Sequence, residues 1–130
     1  MTRNRASAKG AGTSFETLMA VFFNHHVDDR IERRRLTGAK DRGDISAVKV
    51  FRGGRMVLEC KDAAGEYAGR LGSWVNEADT ERGNDDAVAC AVLVKRKGTR
   101  APGRQFVIMT ADDLVALLTG DRPDPGWRLR

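Results

Sequence analysis

Near the start of the chain, Phe15, Leu18, Met19, Phe22 and Phe23 recur at i, i+3, i+4, i+7 and i+8, the stripe of one helix face. "TSFE" at its head, with Thr13 as N-cap and Glu16 three residues on, has the form of a capping box and predicts that the helix starts there. The period then shortens. "RIERRRLTG" is charged and closed by Gly38, which predicts a strand with one exposed face. "DISAVKVF" and "RMVLECK" are β-branched or apolar runs joined through "RGGR", which predicts a hairpin. From Glu66 to Arg82, helical spacing returns in Tyr67, Leu71, Trp74, Val75 and Ala78, although Gly69 and Gly72 weaken it. "AVACAVLV" is a continuous apolar run suited to a strand buried on both faces. "QFVIMT" predicts another strand, and "TADDLVALL" a helix capped by Thr110 with acids in its first turn. The expected order is α-β-β-β-α-β-β-α, an α/β domain with a mixed central sheet flanked by helices.

At 130 residues the chain is long enough for one domain with a real core. Residues 1–12 are small, basic and acid-free and predict a flexible arm; 13–119 form the domain; 120–130 read as a loose, turn-rich tail carrying Trp127. Lysines and arginines number 23 against 18 acids, a net charge of +5, so the surface is mixed with basic regions and a polyanion is favoured over a membrane as partner. No window approaches a membrane span and no apolar stretch follows the N-terminal charges, which leads to the expectation of a cytoplasmic protein. Cys60 and Cys90 lie in strand-like runs outside any CxxC or CxxH pattern and read as small core residues in a reducing compartment.

Against this background the acids around the hairpin stand out. Because opposite residues share a face and side chains alternate, a hairpin loop of even length puts Asp44 on the face of Glu59 and Lys61. With Arg52 and Gly53 as the loop, Asp44 lies opposite Lys61 and diagonal to Glu59; with Gly53 and Gly54 it slides two residues away. An odd loop would turn Asp44 to the other face. Two converging carboxylates with a lysine beside them suit phosphodiester hydrolysis, since hard oxygen ligands hold Mg²⁺ with waters left in place. Lys61 can orient the attacking water, help deprotonate it, or stabilise charge in the transition state. Cys60 faces away, leaving only its backbone carbonyl within reach of a metal.

The succession "GTSFE" (Gly12 to Glu16), Asp44, then "ECK" (Glu59, Lys61), over about residues 9 to 118, resembles the PD-(D/E)xK nuclease superfamily. More narrowly it is similar to the archaeal-type Holliday junction resolvases and the small resolvase-like proteins of bacteriophages. Gly43 stands where the superfamily motif has proline. The resemblance implies a restriction-endonuclease-like core and a DNA endonuclease with Asp44 and Glu59 as Mg²⁺ ligands, joined by the Cys60 carbonyl, with Mn²⁺ able to substitute. It implies Lys61 as the catalytic lysine and Glu16 as a further carboxylate, acting directly or through water. It also implies a homodimer that makes paired nicks in a four-way DNA junction. An exonuclease or flap nuclease of the same fold, and a DNA-binding module without catalysis, are the alternatives.

The remaining charged groups receive blander readings. Asp41 reads as a loop acid paired with Lys40 or Arg42, and as the first substitute for Asp44. Glu77 and Glu81 read as a solvated helix face. Arg33, Arg34, Arg35, Lys40 and Arg42, the run Lys95, Arg96 and Lys97, and behind them Arg5 and Lys9, are the candidate contacts to a DNA backbone.

Overall fold

The computed structural model describes residues 4–35 and 40–126. Its elements run α1 (Arg5–His26), β1 (Glu32–Arg33), β2 (Ile45–Ser46), β3 (Met56–Lys61), α2 (Leu71–Asn84), β4 (Ala89–Val94), β5 (Phe106–Ile108) and α3 (Ala111–Thr119). The five strands form one mixed sheet in the order β1-β2-β3-β4-β5. Only the central pair, β3 with β4, is parallel, and α2 supplies its crossover; every other neighbouring pair is antiparallel. The chain is therefore α/β.

Alternation along the two central strands divides the core. Met56, Leu58, Cys60, Ala89, Ala91 and Leu93 pack with Phe15, Met19 and Ala20 of α1 and Ala116 of α3. Val57, Cys90, Val92 and Val94 pack on the opposite face with Trp74 and Ala78 of α2. All six residues of β4 are buried, which is why its sequence shows no alternation. Both cysteines are free and buried.

Several boundaries differ from expectation. α1 begins at Arg5, so residues 5–12 extend the helix instead of forming a flexible arm, and Thr13 lies inside it. The N-cap is Asn4, whose side-chain oxygen accepts the Ser7 N–H at 2.8 Å. α2 starts at Leu71, later than Glu66, because Gly69 takes φ 73° in the turn before it. Part of the tail is held: the Arg122 guanidinium donates to Val88 O at 3.0 Å and to Asp113 Oδ1 at 2.7 Å. Trp127, and the end of the strand expected through Gly38, lie outside the described residues. Thr110 caps α3 as expected, accepting the Asp113 N–H, and Gly120 closes it at φ 92°.

Candidate metal centre

The hairpin reaches the needed side-chain arrangement by neither expected register. Val50 N–H bonds to Gly54 O at 2.9 Å and Lys49 bridges Arg55, so the loop is Phe51–Gly53, three residues and odd. Further along, Met56 donates to Val48 while Ile45 pairs with Leu58, which leaves one extra residue on the β2 side. That residue is absorbed at Ala47, held at φ 66°. The bulge cancels the parity of the odd loop, and Asp44 returns to the face of Glu59.

Gly43, at the proline position of the resemblance, has a physical reason to be glycine. It is buried at φ 92°, and a Cβ there would meet Val57 Cγ1 at 2.6 Å and Leu58 O at 3.2 Å. Its N–H also donates to Asp41 Oδ1 at 2.9 Å, a bond proline cannot make.

Asp44 is locked by two strands. Its backbone N–H donates to Leu58 O at 2.9 Å, its carbonyl accepts from Arg34 N at 2.7 Å, and its Oδ2 accepts the Cys60 N–H at 2.7 Å. The Cys60 N–H thus points toward β2, whereas the Lys61 carbonyl accepts from Lys95 N in the other direction. Alternation therefore aims the Cys60 carbonyl to the same side as the Asp44 carboxyl. Glu59, only 5% exposed, lies against Asp44 on one side and Glu81 on the other, close enough to share a proton with either. Glu81 is 2% exposed and continues the row to Asp41. One oxygen of Glu59 and one of Glu81 are buried with no hydrogen-bond partner among the described residues. Ligand oxygens of Asp41, Glu59 and Glu81 lie within 4.8 Å of one another.

The electrostatics follow from this crowding. Burial, then the charge of Glu59, pushes the Asp44 carboxyl up to about 8, against the hydrogen bond from Cys60. Burial and Glu81 push Glu59 up to about 9. Burial raises Glu81 to about 7, with the Asp41 charge adding to it. Lys61 goes the other way in kind: burial alone would lower it, but the bond to Glu77 and the fields of Glu59, Glu77 and Glu81 leave it raised and firmly protonated. Its Nζ is 2.9 and 3.0 Å from the two oxygens of Glu77 and 3.9 Å from Glu59 Oε1. Lys61 thus stands beside the row as a cation and a hydrogen-bond donor. Orphaned carboxylate oxygens in an all-oxygen donor set fit Mg²⁺ or Mn²⁺.

Glu16 faces the cleft beside this row, and its charge contributes to the shift at Asp44, but its own bond is to Arg33 Nε at 2.9 Å. It is no capping residue, since the helix begins far upstream. Arg33, Arg34, Arg35, Lys40 and Arg42 line a cleft of about 510 Å³ together with Glu16, Asp41 and Asp44. Arg34 is committed to Asp85, with Nη1 to Oδ1 at 3.3 Å, while Arg35, Lys40 and Arg42 are exposed. Because β3 and β4 are parallel, Lys61 and the "KRKGTR" loop leave the sheet at the same end. In that loop Lys95 pairs with Asp62 at 3.7 Å, Arg96 stacks over Phe106 at 5.0 Å, and Lys97 is exposed. Arg5 and Lys9 are exposed on α1, with Lys9 two helical turns before Glu16, about 10 Å along the axis.

The row thus gathers Asp44, Glu59, Lys61 and the Cys60 backbone, and places Glu16 at its margin. It adds Asp41, read from the sequence as a loop acid and first substitute for Asp44, and Glu77 and Glu81, read as a solvated helix face; Asp41 and Glu77 are exposed, but Glu81 is buried. For Glu81 a signal existed: Trp74, Ala78 and Glu81 stand at i, i+4 and i+7, so the carboxylate occupies a position of the buried stripe. No protein-family model, curated protein or solved structure matches this chain. Among the described residues no helix is long and apolar enough to cross a membrane.

Proposed function

We propose that the chain is a divalent-metal-dependent endonuclease of the PD-(D/E)xK type, with a restriction-endonuclease-like core, acting on branched DNA as a homodimeric Holliday junction resolvase. The observation that carries this reading is the meeting of Asp44 and Glu59 in one buried, partly unsatisfied carboxylate row with a protonated Lys61 beside it, at the mouth of a basic cleft. Asp44, Glu59 and the Cys60 carbonyl would hold Mg²⁺, which supplies Lewis-acid polarisation of a phosphate oxygen and a more acidic water.

The protein's own groups do the rest. Lys61 presents a positive charge to the pentavalent phosphate as a water attacks phosphorus and gives up its proton to solvent, while the bond from phosphorus to the deoxyribose oxygen breaks and that oxygen takes a proton from solvent. Glu77 holds the Lys61 ammonium away from direct contact with Glu59, 3.9 Å off. Arg35, Lys40 and Arg42 draw the DNA backbone into the cleft, so affinity falls steeply with salt. Junction preference would come from the shape of the DNA and from the spacing of two copies.

The test is cleavage of an end-labelled four-way junction beside duplex, flap and single-strand DNA of the same sequence, in Mg²⁺ or EDTA, with wild type and Asp44→Asn. Paired nicks near the branch point that require Mg²⁺ and vanish in the variant are expected. Binding without cutting in Mg²⁺ or Mn²⁺ would replace the enzyme with a binding module, and degradation from free ends would replace it with an exonuclease.

A further inference from the structure

The carboxylate row is longer than one cation needs. It runs Asp44, Glu59, Glu81, Asp41, each in proton-sharing reach of the next, from a strand mouth across β3 to the last turn of α2 and back to the loop before β2. We propose that a second divalent cation binds among Asp41, Glu59 and Glu81, with Glu59 shared between it and the cation held by Asp44. This rests on the reading of Asp44 and Glu59 as ligands of a first cation.

Three observations carry it. The ligand oxygens of Asp41, Glu59 and Glu81 lie within 4.8 Å of one another, a spread that a small closure brings to octahedral ligand separations. Glu59 and Glu81 are more than nine-tenths buried, and each keeps a buried oxygen with no hydrogen-bond partner among the described residues, a position a cation fits. The third ligand is positioned from both ends. The Asn84 amide at the end of α2 donates to Asp41 O at 2.8 Å, and Asp41 Oδ1 accepts the Gly43 N–H. The loop that carries Asp41 is thereby stapled to the helix that carries Glu81.

Nearby protein cations do not take this role. Lys61 is gripped by Glu77 and stands 3.9 Å from Oε1 of Glu59, leaving Glu59 Oε2 unpartnered among the described residues, and Arg34 and Arg55 are both turned to Asp85. With only oxygen donors, the site suits Mg²⁺ or Mn²⁺. Two cations sharing one carboxylate suit a scissile phosphodiester, because such a pair can face the attacking and the leaving oxygen at once.

The experiment is a Mn²⁺ titration of the full chain without DNA, with free Mn²⁺ followed by electron paramagnetic resonance. Wild type is expected to take up two Mn²⁺ per chain. Glu81→Gln and Asp41→Asn should each weaken one site at least tenfold and keep the other, while Asp44→Asn should spare the Glu81 site. Asp41 is exposed, so its variant gives the answer even where Glu81→Gln fails to fold. A single Mn²⁺ in wild type, or two undiminished Mn²⁺ in both Glu81→Gln and Asp41→Asn, overturns the proposal. Junction cutting measured in parallel separates the two readings. Two Mn²⁺ with no cutting supports this site and sinks the nuclease; one Mn²⁺ with Mg²⁺-dependent cutting lost in Asp44→Asn sinks this site and leaves the nuclease.

Discussion

Asp113 in the first turn of α3 and Glu59 on the middle strand β3 are both acids that end up inside the protein, 2% and 5% exposed. Asp113 is surrounded by donors: Arg122 at 2.7 Å, the Thr110 hydroxyl at 2.7 Å and the Cys90 N–H at 3.2 Å. Burial raises its carboxyl, but those bonds outweigh it and hold the group below the usual carboxylate range. Glu59 is surrounded by other acids and is pushed up to about 9, with one oxygen left over. The same chain therefore shows what it does when a buried carboxylate is structural. At Glu59 the nearest cation is Lys61, 3.9 Å away and gripped by Glu77, and the natural complement of a partly unpaired row of oxygens is a cation from solution.

The largest effect that sharpens this contrast is on chemistry. Lys61→Met should cut the junction about 10²–10³-fold more slowly at saturating Mg²⁺, the range for loss of one preorganised charge from a transition state. A smaller loss, measured in single-turnover cleavage, would move Lys61 out of the reaction. Next come two substitutions of opposite sign on stability. Asp113→Ala strands the Arg122 charge and should destabilise the protein by about 3 kcal/mol in urea melts. At pH 8 folding must place on Glu59 a proton that the unfolded chain has released; Glu59→Gln removes that cost and should stabilise the metal-free protein by at least about 1 kcal/mol, while abolishing cleavage. Destabilisation by Glu59→Gln equal to that of Asp113→Ala would erase the distinction between the two acids.

pH gives a third measurement. In the unfolded chain Asp44, Glu59 and Glu81 ionise near 4, while in the folded protein they ionise at about 8, 9 and 7. Between those values the folded state holds protons that the unfolded chain has released, so the stability these groups contribute is full below about pH 4 and lost progressively as pH rises from there through the folded values of 7 to 9. Urea melts in EDTA should show stability falling from pH 5 to 9, by about 1.4 kcal/mol per pH unit for each of these groups that is protonated only in the folded state. Mg²⁺ should flatten that slope, because a bound cation takes the place of the protons. A flat profile in EDTA would mean that the row is already satisfied.

How much of this was legible in the sequence depends on whether a residue type carried the signal. The apolar run of β4, the Thr110 cap and the α/β class were readable because hydrophobicity and capping chemistry dictate them. The helical start at Asn4 was not: Gly10 and Gly12 are poor helix formers, and the reading favoured an arm until the Asn4 cap and the length of the helix behind it are seen. Ala47 was invisible for the opposite reason. An alanine at positive φ has no sequence signature, yet without its bulge the odd Phe51–Gly53 loop would have turned Asp44 away from Glu59. Asp44, Glu59 and Lys61 were found from spacing and family resemblance, whereas Glu81 was set aside as surface although its stripe position marked it for burial.

The smallest effect belongs to Glu77, the acid that pairs with Lys61 and whose charge also reaches Glu81. Its side chain is 46% exposed and grips a Lys61 that is 22% exposed, so the pair is a half-solvated bridge and not a buried one. Such a pair contributes at most about 1 kcal/mol, and Glu77→Gln should shift the urea midpoint by no more than that. Its kinetic effect should be modest too, less than tenfold in cleavage, because Lys61 keeps its place on β3 and keeps the field of Glu59. What should change is the alkaline limb of the rate profile. Glu77 is among the groups that raise the Lys61 ammonium, so its loss should let Lys61 deprotonate at lower pH and pull that limb down. A variant with an unmoved limb but a large loss of rate would place Glu77 among the residues that handle the phosphate, and the row would extend one residue further along α2.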